Sequence, residues 1–98
     1  MVNTTGISKC SRRRVRIWSI VLRACGIFPR DTVYVTYGKN GFDELVMTQN
    51  PPAKQKIIAT YTVELDGSIR LHESTVGPID ESAATITASK GRITILRG

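Results

Sequence analysis

The chain is short of the residues that usually carry chemistry. It has one histidine, His72, and two cysteines, Cys10 and Cys25. Two cysteines make no disulfide framework, and a metal reading would need His and acid partners at set spacing, so no metal, no other cofactor and two reduced thiols are expected. His72 has Glu64 and Glu73 as acidic neighbours but no Ser or Cys at a nucleophile spacing,. Asp80-Glu81 is a carboxylate pair without the second pair that a cation would need,. Gly38 and Gly41 fit a hairpin better than a phosphate-cradling loop,. An enzyme is therefore not expected. The one tryptophan, Trp18, is too little for an interleaved basic and aromatic surface, and it is predicted in a core or a dimer seam,. No apolar run approaches the roughly 20 residues that span a bilayer. The N-terminus has arginines but no apolar region behind a cleavage site,. These features predict a cytoplasmic protein with no membrane partner.

Acidic residues are also scarce: 8 Asp and Glu stand against 14 Lys and Arg, for a net charge of +6 and a pI near 9.8. The imbalance is uneven. Residues 1–49 hold eight basic side chains against three acids, whereas residues 50–98 hold six against five. Arg12, Arg13, Arg14 and Arg16 fall within five positions, too dense for any core, and Lys9 and Arg23 flank them. Guanidinium forks suit phosphate and carboxylate better than lysine does, so Lys9, Arg12, Arg13, Arg14, Arg16 and Arg23 are candidate contacts for a nucleic acid or an acidic protein surface.

Hydropathy patterning predicts a mainly β chain. Val15-Arg16-Ile17 alternates as a strand, Val21, Leu22 and Cys25 recur at helical spacing, and Gly26 stands where a helix C′ residue needs positive φ,. Pro29 forbids further helix,. Residues 32–48 read as a hairpin about the turn Gly38-Lys39-Asn40-Gly41,. Asn50-Pro51-Pro52 punctuates the chain as a linker, residues 50–56,. Beyond it, strands are predicted at 57–65, 68–72, 83–89 and 92–96, with turns at Asp66-Gly67 and Lys90-Gly91, and residues 73–80 too short for a helix,.

The run Val15-Arg16-Ile17, Leu22, Gly26, Pro29, Asp31 and Val33-x-Val35 resembles the swapped-hairpin proteins of the AbrB, MazE and SymE kind, most nearly the SymE-like branch. The likeness covers residues 14–48. It departs at Val21, where a Trp is usual, at Cys25, where Ala is usual, and at Arg30, where the turn usually has Gly. A weaker echo follows: Val15-Arg16-Ile17 matches Ile69-Arg70-Leu71, Val33 and Val35 match Ala84 and Ile86, and Leu45 and Met47 match Ile93 and Ile95. The expected organisation is a basic N-terminal arm (1–13, loose over 1–9), a first β unit with one short helix (14–49), the linker, and a second β unit (57–98). The two units would pair as an intramolecular pseudo-dimer or, across chains, as a homodimer. The resemblance implies DNA binding by a small transcription regulator, antitoxin or SymE-like factor. In it Arg16 takes the basic strand position and Arg14 flanks it, DNA being preferred to RNA. The alternative is a phage or mobile-element inhibitor module that docks on an acidic surface of a nucleic-acid-handling complex.

Overall fold

The computed structural model describes residues 7–11, 14–50, 54, 56–80 and 84–97, the first five through their backbone only. The chain is mainly β. The elements are β1 (Ile7–Ser11), β2 (Arg14–Ile17), α1 (Ser19–Ala24), β3 (Thr32–Gly38), β4 (Gly41–Thr48), β5 (Ala59–Thr62), β6 (Ile69–His72), α2 (Glu73–Val76), β7 (Thr85–Ser89) and β8 (Arg92–Leu96). They form two antiparallel sheets, ordered β1-β2-β6 and β5-β3-β4-β8-β7. Both halves of the chain therefore contribute to both sheets.

One core lies between the sheets. Val15 and Ile17 of β2 and Ile69 and Leu71 of β6 meet Val33, Val35, Leu45, Met47, Ile86, Ile93 and Ile95 of the larger sheet. Period-two alternation puts these side chains on one face of each strand and the intervening polar ones on the other. Burying a Val, Leu or Ile side chain is worth about 1.5–3 kcal/mol, so this shared layer dominates the stability of both halves.

Helix α1 closes one end, with Val21, Leu22 and then Cys25 buried. Its stop is a Schellman arrangement: the Gly26 amide donates to the Arg23 carbonyl and the Ile27 amide to the Leu22 carbonyl,. Gly26 takes φ +76°, the left-handed conformation that glycine adopts without strain,. In the next turn Arg30 takes φ 73° after Pro29, with the Asp31 amide donating to the Phe28 carbonyl.

Four expectations are corrected. Residues Ile7–Ser11, placed in the N-terminal arm that was expected to be loose over 1–9, form edge strand β1 against β2. The described residues form two short helices, not one: Glu73–Val76 forms α2, where the Arg97 guanidinium donates to the open Val76 carbonyl at the helix end and to the Pro78 carbonyl just beyond it,. The strand expected over 57–65 is only Ala59–Thr62. The chain reverses at Glu64–Gly67, so Leu65 sits on the turn, 77% exposed. Trp18, expected in a core or seam, is 40% exposed. The prolines of the predicted linker lie outside the described residues.

Candidate nucleic-acid interface

Strand β2 turns Val15 and Ile17 inward, so the pleat turns Arg14 and Arg16 outward,. Strand β6 does the same with Ile69 and Leu71 inside and Arg70 and His72 outside. The pairing register then sets Arg14 opposite His72 and Arg16 opposite Arg70. Four nitrogen-bearing side chains thus form a two-by-two block on the outer face of the smaller sheet.

Two neighbours shape this block. The Arg16 guanidinium lies 4.9 Å from the centroid of the Trp18 ring, a cation–π contact at the strand's end,. Arg70 Nε lies 3.4 Å from a Glu64 carboxylate oxygen, an ion pair between half-exposed groups without hydrogen-bond alignment. The Asp66 carboxyl is held below its ordinary value, chiefly by the Ser68 hydroxyl and then the Ser68 amide, while Arg16 and Arg70 also attract it. Nε of Arg16 and Nε of Arg70 are both buried and without a hydrogen-bond partner. Like charges directly opposite on a sheet are unfavourable by a fraction of a kcal/mol, so this block is not an arrangement that folding alone rewards.

The predicted contacts divide. Arg14 is exposed and Arg16 half-buried, side by side in the block. Arg23 is exposed in the last turn of α1, and the end of that helix is tied elsewhere: the Gly91 amide of the β7–β8 turn donates to the Cys25 carbonyl at 2.7 Å. Lys9 lies in β1, whose side chains are not described, and Arg12 and Arg13 lie outside the described residues. Arg70 and His72 were not singled out, although Ile69-Arg70-Leu71 repeats the Val15-Arg16-Ile17 pattern. That triplet was the signal. Among the described residues no group of three or more His, Cys, Asp or Glu is placed to hold a metal ion, and no helix is long and apolar enough to cross a membrane.

No family model, curated protein or solved structure matches this chain. The functional reading therefore stands on the geometry of the block itself.

Beside the block, the surface becomes apolar. Ile20 is 74% exposed, and the Leu65 turn packs against the start of α1. A side chain at Gly67 would come within 2.9 Å of Ser19 Cβ. Gly67 also has φ +86°, so both its conformation and its space call for glycine,.

Proposed function

We propose that the outer face of β2 and β6 binds the phosphate backbone of nucleic acid, duplex DNA in preference to RNA, as a small regulator or antitoxin-like factor. The observation that carries this is the adjacency of Arg14, Arg16, Arg70 and His72 in register on one face. A sheet fixes the direction of each side chain, so the guanidiniums are presented at set spacing instead of sampling the solvent. The net charge of +6 adds long-range attraction to a polyanion,.

The swapped-hairpin reading belongs to the same proposal. The register gives it support. With offsets of 54, 51 and 48 for the three strands of a unit, Val15↔Leu71 maps onto Ile17↔Ile69, Leu45↔Ile95 onto Met47↔Ile93, and Val35↔Met47 onto Ile86↔Ile95. Arg16↔Arg70 and Val46↔Thr94 map onto themselves, as pairs on a pseudo-two-fold axis would. Helices α1 and α2 follow corresponding strands, and Gly26 and Gly77 end both at positive φ.

A second reading, docking on an acidic protein surface, draws support from the exposed Ile20 and Leu65 beside the block, which a phosphate backbone would not use. Fluorescence anisotropy with random duplex DNA, single-stranded DNA and RNA across a salt series separates the two. Nucleic-acid binding predicts a log-affinity against log-salt slope that falls by about 0.9 when Arg14 is replaced by Ala, on every duplex alike. Loss of discrimination between a cognate and a random duplex is expected for Arg16→Ala. Absence of binding to all three polymers at low salt would leave the protein-surface reading in its place.

A further inference from the structure

We propose that Arg16 and Arg70 form a clamp for one tetrahedral, phosphate-type oxyanion held between them. The inference deepens the nucleic-acid reading, since a phosphodiester is one such group, but the clamp can be tested with no nucleic acid present.

Arg16 and Arg70 are cross-strand partners, so their Cα atoms are about 4.5–5.5 Å apart and both side chains leave the sheet in the same direction,. Among the described residues no carboxylate bridges their charges. Arg14 and His72, the next pair, add no acid. The two nearby carboxylates do not close the gap. Glu64 reaches Arg70 alone and lacks hydrogen-bond alignment. Asp66 Oδ1 is taken by the amide and hydroxyl of Ser68, at 2.9 and 2.7 Å, so it acts on the arginines only through space. The Arg16 guanidinium lies against the Trp18 ring, and the Arg70 Nε has a Glu64 carboxylate oxygen 3.4 Å away.

Two forks of like charge, side by side and without hydrogen-bond partners at Nε, are what a shared anion would stabilise. A carboxylate offers two oxygens in one plane, so two forks must share the same pair of atoms. A phosphate group carries its oxygens tetrahedrally, so each of two forks can meet a separate edge. The buried Nε–H groups stay inside the sheet face, and the outer Nη groups do the binding. The anion also turns the repulsion between partners into attraction for each.

The test is a titration of ¹⁵N-labelled protein, following arginine Nε–Hε and backbone amide resonances. Inorganic phosphate and dimethyl phosphate are the probes, with chloride at equal ionic strength as reference. Saturable shifts are expected at Arg16 and Arg70. Arg16→Lys and Arg70→Lys keep the charge but lose the fork, so each is expected to weaken binding about tenfold, and Arg92→Lys, at an exposed position of the other sheet, less than about twofold,. Unchanged amide spectra in these variants show that they fold. Dimethyl phosphate binding as well as the free ion assigns the site to an internal phosphodiester, and binding of the free ion alone assigns it to a terminal or free phosphate. Shifts that follow ionic strength only, or wild-type affinity in Arg70→Lys, overturn the clamp. If the clamp fails while random duplex still binds, the nucleic-acid reading survives without it. If phosphate saturates the pair while no polymer binds, the nucleic-acid reading fails and the clamp stands.

Discussion

The Arg97 guanidinium stacks on the ring of Phe42, 4.0 Å from its centroid, although 55 residues separate the two. Arg97 is also almost fully buried, and its donors go to the carbonyls of Phe42, Pro78 and Val76. Burial pulls its proton affinity down, against the attraction of Tyr37 and Asp43, and its carbonyl partners and the ring take up the donors and the face of the buried charge,. The contact ties the β3–β4 hairpin to the end of α2.

Replacing Arg97 by Met keeps the stem and removes every donor. The carbonyls of Val76, Pro78 and Phe42 then lose their partners, and a loss of about 2–4 kcal/mol is expected. Arg97→Lys should recover only part of it, because an ammonium cannot reach three carbonyls as a planar fork does. Urea unfolding of both variants measures this. A loss below about 0.5 kcal/mol in the Met variant would place the guanidinium outside the stabilising network.

Arg30 carries φ 73° in an exposed turn. An L-residue in that region is disfavoured by roughly 1–2 kcal/mol, and glycine gives back part of this through its greater freedom when unfolded. Arg30→Gly should therefore stabilise the protein by about 0.5–1 kcal/mol, and Arg30→Val should destabilise it. Thermal midpoints of the two variants should move in opposite directions.

Thr36 is fully buried on the outer face of β3, and its hydroxyl has no hydrogen-bond partner. Its cross-strand partner Val46 is buried too. Thr36→Val removes the stranded hydroxyl at nearly constant shape, so a gain of about 1 kcal/mol is expected. A loss of stability on chemical denaturation would mean that the hydroxyl is satisfied in solution.

Asp66 supplies the pH dependence. Its folded value lies below the ordinary 3.8, first because the Ser68 hydroxyl donates to it and next because the Ser68 amide does. A depressed carboxyl stabilises the fold above its unfolded value and ceases to do so as pH falls through the folded one. Wild-type stability should therefore decline below about pH 4, and Asp66→Asn should flatten that part of the curve. Ser68→Ala should move the Asp66 titration upward. Carboxyl ¹³C shifts followed from pH 5 to 2 report both, and an Asp66 titrating at or above its ordinary value would contradict this account.

Local signals in the sequence were legible where one residue type settles one conformation. The hairpin about Gly38–Gly41, the Gly26 helix stop, the Asp66-Gly67 turn and strand Arg92–Leu96 all stand where glycine and alternation put them. What escaped notice depends on distant parts of the chain. Strand β1 is held by backbone bonds to β2, which leave no mark in side-chain pattern,. Helix α2 ends on a hydrogen bond from Arg97, 21 residues further along the chain. The arginine block needed the β2–β6 register. Arg14 and Arg16 were visible as a basic run, but only pairing puts Arg70 and His72 beside them. Trp18 lies outside the core, with the guanidinium of the arginine two positions before it against its ring.

The interleaving of the strands bears on how the chain is made. Strand β2 gains its β6 neighbour only after residue 72 has emerged, and β4 gains its β8 neighbour only after residue 96. During synthesis the β1–β2 and β3–β4 hairpins can each close by themselves, yet the smaller sheet lacks β6 and β4 lacks its β8 neighbour until both late strands arrive,. Completion of the larger sheet is thus deferred until translation has delivered Arg92–Leu96, and until then Leu45 and Met47 of β4 lack the β8 neighbours Ile95 and Ile93 beside them.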